Sequence, residues 1–296
     1  ISKLTWRQKA DLLTGRDFWS TLAIEEVGLP SAYLSDGPCG LRKQAAKSDH
    51  LGLNPSIPAT LIPTTATMAN TWNEELGEEV GGLLGEEAAS MDVNMLLGPG
   101  MNIKRNPLCG RNFEYFSEDP YLSGKMAASY VRGIQKSGVY ACLKHFAANN
   151  QEERRMVSDS VMDERTLREI YLTGFEIAVE ESNPGAIMSS YNKLNGEFTN
   201  ENEHLLAEIL RGEWGFKGVI VTDWAGCNDR IKGLIAGNEL EMPSCRYGAD
   251  DVYEALSNGT LDEKIVDERL DNLIDFILTT DAALKKAPKS FNEEEH

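Results

Sequence analysis

The sequence predicts an α/β protein built as a (β/α)8-type, TIM-like barrel, and three observations carry that expectation. Short apolar runs recur along the 296 residues, each closing on a polar or glycine-rich turn, as strands buried on both faces do. Longer stretches with helical periodicity separate them, the alternation that βα units produce. The unusual polar residues fall at the C-terminal ends of several different runs, where a barrel gathers its site on one rim. The rival architecture, a doubly wound open sheet, usually carries a glycine fingerprint after its first strand, and this chain has none.

The opening ISKLTWRQKADLL is amphipathic, and the first strand is AYLSDG (32–37), ending on Asp36. Residues 43–71, rich in Pro, Ala and Thr without a clear period, predict a long loop over the rim. A helix over 72–92 leads to the strand VNMLLGPG (93–100), and a helix over 121–138 leads to VYACLKHF (139–146), which ends on Lys144 and His145. A helix over 162–182 precedes AIMSSYN (186–192), which carries Tyr191. The next helix spans 201–211, with Asn200 as its expected cap and Gly212 just past its end. VIVTDW (219–224) presents Asp223, NELEMP (238–243) presents Glu241, and a last helix spans 261–278. Six strands rather than eight are legible, so the expected ring has an incomplete or irregular strand set. The domain is expected over 1–284, and the charged, apolar-poor residues 285–296 are expected to be a disordered tail or a linker.

Forty-seven Asp plus Glu against 29 Lys plus Arg give a formal charge of -18, which repels phosphate backbones and anionic lipid, so neither nucleic acid nor a membrane surface is an expected partner. No apolar run approaches the roughly 18 residues a spanning helix needs. The five cysteines are odd in number, widely spaced and without a CxxC pair, which reads as inert thiols in a reducing compartment and gives a cytoplasmic expectation. HExxH and GxxxxGK[ST] are absent, so no metal or cofactor is expected.

Asp223 stands out because a carboxylate directly after VIVT faces an apolar environment that is costly without hydrogen bonds; capping a helix that starts near Gly226 is its bland alternative. Lys144 and His145 are neighbouring donors suited to vicinal hydroxyls or an anion, or to a structural ion pair, and a lysine so placed is also able to form a Schiff base. Asp36 and Arg42 sit in the turn SDGPCGLR, and Arg111 in the aromatic and acidic context GRNFEYFSEDP. With Trp19, Tyr191 and Trp224 as stacking surfaces on the same rim, these residues describe a pocket for a polyhydroxylated, partly apolar ring such as a sugar.

The ordered motifs SDGPCGLR, GRNFEYFSEDP, KHFAANNQEERR, MSSYNKLNG, GVIVTDW and ELEMP closely resemble the N-terminal barrel domain of glycoside hydrolase family 3, of the two-domain β-glucosidase type, from about residue 12 to about residue 280. The resemblance implies a retaining hydrolase acting on terminal non-reducing β-D-glycosyl residues. In such enzymes one carboxylate attacks the anomeric carbon and a second group protonates the leaving oxygen. By resemblance Asp223 is the nucleophile. The matching sugar-binding positions are Asp36, Arg42, Arg111, Lys144, His145, Met188, Tyr191 and Trp224, with donors from Lys144, His145 and Arg111 expected to keep Asp223 ionised.

In the two-domain members the acid/base Glu comes from an α/β sandwich domain outside the barrel, so the resemblance implies a partner domain on the same precursor or a second chain. Single-domain members carry a His–Asp pair in a KHFPGHG-like loop, and the matching KHFAANNQEERRMVSD has no histidine beyond His145. Glu152, Glu153 and Asp159 lie in that loop without an assigned role, and Glu239 stands where the family commonly has Asp, with altered packing near the rim as the expected effect. The expectation is a barrel that binds a β-glycoside and lacks its own acid; a non-catalytic carbohydrate-binding or assembly subunit is the other reading.

Overall fold

The computed structural model describes residues 1–45, 54–294 and 296. Five strands form a parallel sheet in the order β1 (Leu34–Asp36), β2 (Met95–Leu97), β3 (Tyr140–Phe146), β5 (Ala186–Ser189) and β8 (Val219–Val221). A second sheet joins β4 (Asp159–Ser160), β6 (Lys193–Leu194) and β7 (Glu197–Phe198), tying the loop after β3 to the loop after β5.

The parallel sheet closes on itself through single bridges. Val221 pairs with Leu240 and Thr14 with Glu241, both parallel, while Gly15 pairs with Thr21 and Ser20 with Tyr33, both antiparallel. The five strands and the segments at 240–241, 14–15 and 20–21 make eight, so the ring is complete and one of its members runs backwards. All six expected strands are in place. The two that the sequence hides are bridge-length segments of the turn TGRDFWST, too short to show an apolar run.

Nine α-helices are described: α1 (Trp6–Leu12), α2 (Thr65–Ala69), α3 (Glu74–Ser90), α4 (Pro120–Gln135), α5 (Glu164–Thr166), α6 (Thr173–Ser182), α7 (Arg230–Ala236), α8 (Arg246–Asn258) and α9 (Glu263–Leu284). Wider turns at Leu167–Leu172 carry α5 into α6. Helix starts follow side-chain caps: Asn73 Oδ1 accepts from Leu76 N at 3.0 Å, and Asp119 Oδ1 from Leu122 N at 2.9 Å ahead of Pro120. α3 and α4 approach so closely that a Cβ at Gly81 would stand 2.5 Å from the Tyr130 carbonyl oxygen.

Strand residues alternate between two cores. Leu96, Ala141, Leu143, Ile187 and Ile220 pack with α3, α4 and α6, whereas Met95, Leu97, Cys142, Met188 and Val221 pack with α1, α8 and α9. All five cysteines are free thiols, and among the described residues no helix is long and apolar enough to cross a membrane.

Several expectations change here. The helix expected over 201–211 runs over His204–Glu213, and Asn202 rather than Asn200 caps it, Oδ1 accepting from Leu205 N at 2.8 Å. The predicted loop 43–71 lies partly outside the described residues, at 46–53, and its later part contains α2. Beyond α9, Lys289 pairs with Asp92 and the His296 ring reaches Glu87 at 3.1 Å, so these residues contact the end of α3.

Candidate active site

A cavity of about 280 Å³ opens at the C-terminal ends of the barrel strands. Asp36, Arg42, Arg111, Lys144, His145, Met188, Tyr191, Asp223 and Trp224, the nine residues singled out in the sequence, all line it. Phe18, Trp19, Gln44 and Arg155 complete the wall.

Asp223 follows β8 and its side chain is nearly buried. Oδ1 accepts from Trp224 N at 2.7 Å, while the buried Oδ2 has no hydrogen-bond partner and stands 3.6 Å from His145 Nε2. Asp223 caps no helix, since the next one is capped by Asp229, whose Oδ1 accepts from Lys232 N at 3.0 Å. Burial pushes the Asp223 carboxyl above its ordinary value, and the charges of Arg111 and Lys144, with the Trp224 amide and Tyr191, pull it only part of the way back. Desolvation and the donors therefore act on Asp223 in opposite directions, with desolvation the larger effect.

His145 is fully buried at the end of β3, where the strand register shifts between Leu143 and Phe146. Its backbone is clamped by Asn102, whose Oδ1 accepts from His145 N and whose Nδ2 donates to His145 O, both at 2.8 Å. Burial, together with the charges of Arg111, Lys144 and Arg155, holds the ring well below the usual histidine range, so it is neutral. The Tyr115 hydroxyl lies 3.1 Å from Nδ1. Asn102 Oδ1 lies 3.3 Å from the same nitrogen, so Tyr115 and Asn102 together hold the ring with Nε2 facing Asp223.

Lys144 Nζ, almost fully buried, lies 3.4 Å from Asp36 Oδ1. Arg111 pairs with the buried Glu114. Phe18, Trp19 and Trp224 form an aromatic wall, with the Trp19 and Trp224 rings 5.3 Å apart. Trp19 Nε1 donates to Gln44 Oε1 at 3.0 Å, and Trp224 Nε1 to Phe18 O at 2.8 Å. Tyr191 donates its hydroxyl to Trp224 O at 2.8 Å, and burial beside Asp223 keeps that phenol neutral. A wall of indole faces opposite charged donors and a carboxylate is an arrangement that covers the C–H face of a sugar and bonds its hydroxyls.

Phe18, Gln44 and Arg155 are the lining residues that sequence reasoning missed, and Arg155 is the charged one. Its guanidinium sits 4.6 Å above the Tyr191 ring and donates to Glu152 Oε2 at 2.8 Å. Nothing in QEERRM distinguishes it from Arg154, because the packing of its loop selects it. Glu152, Glu153 and Asp159 do not line the cavity, and Asp159 Oδ1 accepts from Gly196 N at 3.0 Å. Glu241, expected on the rim, does not line the cavity either and is buried with its Oε2 3.9 Å from Arg230 Nε. Glu239 is fully buried, paired with Arg211 at 2.6 Å and accepting from Ile220 N at 2.7 Å, so its effect is on the base of the sixth strand and not on the rim.

The pocket thus sits at the C-terminal rim of a closed barrel with one reversed strand. The chain belongs to glycoside hydrolase family 3: the model of the Glycosyl hydrolase family 3 N terminal domain matches residues 46–275. It is 52% identical over 279 residues to Thermostable beta-glucosidase B of Acetivibrio thermocellus, covering 94% of this chain and 37% of that protein. It is 43% identical over 297 residues to an Exo-alpha-(1->6)-L-arabinopyranosidase of Bifidobacterium longum, covering 39% of it. Among solved structures, beta-glucosidase 3B from Thermotoga neapolitana in complex with alpha-D-glucose superposes with a TM-score of 0.93 at 42% identity, over 100% of this chain and 44% of that one. The chain thus spans less than half the length of each of these relatives.

Proposed function

We propose that this chain is the nucleophile-bearing, sugar-binding part of a retaining β-glycosidase of the β-glucosidase type, with its acid/base carboxyl supplied by a domain outside the 296 residues. The observation that carries the reading is Asp223 Oδ2: a buried carboxylate oxygen with no hydrogen-bond partner among the described residues, at a cavity lined with donors. A buried acceptor is costly to leave unsatisfied, and an anomeric carbon is an electrophile that would engage it.

In this account the glycone stacks on Trp224 and Trp19, while Asp36, Lys144, His145, Arg111 and Arg155 bond its hydroxyls. Asp223 attacks the anomeric carbon as the glycosidic C–O bond breaks, and the leaving oxygen takes both bonding electrons and a proton from the external acid. Water, giving a proton to the same external carboxylate, then attacks the anomeric carbon and breaks its bond to Asp223, restoring that carboxylate and releasing the sugar. Asp36 is the other carboxylate among the described lining residues, and it is paired with Lys144. The relatives differ in glycone by name, glucoside against arabinopyranoside, so β-D-glucosyl is the first substrate to try and α-L-arabinopyranosyl the second.

The test is leaving-group dependence. The chain alone should release dinitrophenol from an activated β-glucoside and leave alkyl glucosides intact, because general acid help is worth about 10²–10⁴-fold. Equal hydrolysis of both would place an acid within the chain and contradict the proposal.

A further inference from the structure

A second, larger cavity of about 560 Å³ lies on the other side of the loop that carries Arg111. That loop serves both spaces: Arg111 lines the active-site cavity and Tyr115 contacts His145, whereas their neighbours Asn112 and Phe116 line the second one. Trp72 projects at its edge with 76% of its surface exposed and a backbone φ of 55°. A bulky residue in the left-handed region is an outlier, and a large indole left in water forgoes its burial energy, so this position is doubly unfavourable for the fold by itself. Lys104 and Glu118 line the same cavity, and among the described residues neither makes an ion pair. Burial pushes the Lys104 ammonium below its ordinary value with no carboxylate opposing the shift. Phe116 is buried against the Tyr130 ring, and Asn112 Oδ1 is buried without a hydrogen-bond partner.

An exposed indole face beside an unpaired donor and an unpaired acceptor is complementary to an uncharged polyol ring. A pyranose puts C–H bonds on one face and hydroxyls at its edge, each able both to donate and to accept. Arg105 lines the cavity as well, its guanidinium donating to the Tyr171 hydroxyl at 3.2 Å, so both signs of charge face the space; a purely apolar ligand would bury them without compensation, whereas hydroxyls satisfy either sign. We infer that this cavity is a second carbohydrate-binding site, taking a neutral pyranose unit of an oligosaccharide stacked on Trp72 with hydroxyls bridging Lys104 and Glu118. It is separate from the site in which Asp223 acts and shares with it only the Arg111 loop.

The test uses the chain with its five tryptophans replaced by 5-fluorotryptophan, titrated with cellobiose and followed by fluorine NMR. Trp19 and Trp224 report the active-site cavity and Trp72 the second. The inference predicts that the Trp72 signal shifts saturably, that Lys104→Ala or Glu118→Gln weakens the Kd read at Trp72 about tenfold, and that Asp36→Ala leaves it unchanged. Lys104 is half-buried and Glu118 exposed, and Trp19 and Trp224 signals that match the unsubstituted chain before cellobiose is added check the fold. A Trp72 signal that stays still, or one whose shift disappears with Asp36→Ala, would overturn the inference. Movement at Trp72 with none at Trp19 and Trp224 would support it while counting against the proposed active site, so the two failures are distinguishable.

Discussion

The Tyr115 hydroxyl lies 3.1 Å from His145 Nδ1, and the opposite ring nitrogen lies 3.6 Å from the unpartnered oxygen of Asp223. This chain of contacts makes Tyr115 a positioning residue: with Asn102 it holds the neutral imidazole whose Nε2 faces the carboxylate. Tyr115→Phe should loosen that hold and slow glycosylation of Asp223 by an activated glucoside about tenfold, the equivalent of one hydrogen bond. An unchanged rate would show that the ring is held by its other contacts.

The same network predicts how the histidines titrate. His145 should show no protonation shift between about pH 7.5 and 5.5, whereas His204, held by Glu208 and Glu164, should titrate above its ordinary value. For stability the sign follows: below the unfolded value of 6.5 the unfolded chain binds a proton that the native His145 refuses, so its contribution is lost as pH falls beneath that point. Nitrogen-resolved NMR on the chain checks the assignment.

Asp223 works in the opposite direction. Its folded value is raised, so in the window above 3.8 the native state binds more protons than the unfolded one, and stability falls as pH rises through that window. Asp223→Asn should therefore raise the unfolding free energy at neutral pH by about 0.5–2 kcal/mol while abolishing activity. The gain should shrink as pH approaches 3.8. Denaturant titrations at pH 7 and pH 4 provide the comparison.

Arg155 is held over Tyr191 and by Glu152 at the wall of the cavity. Arg155→Ala should weaken monosaccharide binding about tenfold through loss of a donor and a cation–π contact. Arg155→Lys should recover only part, since a point charge does not reproduce the planar fork. Calorimetric titration with glucose distinguishes these outcomes.

Glu239 should behave as a structural residue. Glu239→Ala leaves Arg211 and Arg269 without their buried carboxylate and should cost about 3–5 kcal/mol in urea unfolding. The affinity of the remaining folded protein for glucose should be unchanged.

How much the sequence disclosed follows from how each feature is encoded. The six strands are legible because residues buried on both faces leave continuous apolar runs, and Asp36, Lys144, His145, Tyr191 and Asp223 because strand ends in a barrel converge, whereas Arg42, Arg111, Met188 and Trp224 rest on the family motifs. The two remaining ring segments were hidden in TGRDFWST, where one bridge each suffices for closure. Arg155 was hidden because a loop's packing, not its residue types, decides which of two adjacent arginines enters the cavity. Asn200 and Asn202 are equally good caps on paper, and only the start of the helix at His204 selects between them. The upward shift of the Asp223 carboxyl is not legible in the sequence, because counting donors gives the sign of one effect while the depth of burial sets the larger, opposing one.

The central claim is that Asp223 is the attacking nucleophile. Incubation of the chain with 2,4-dinitrophenyl 2-deoxy-2-fluoro-β-D-glucoside, followed by intact mass measurement and peptide mapping, tests it directly. The fluorine slows hydrolysis of the glycosyl ester and the leaving group needs no acid, so the test does not depend on the proposed external acid/base residue. The account predicts a single added fluoroglucosyl group on the peptide containing VIVTDW, located at Asp223, and none in Asp223→Asn. A label on any other residue, or none in a chain that melts cooperatively, would contradict it.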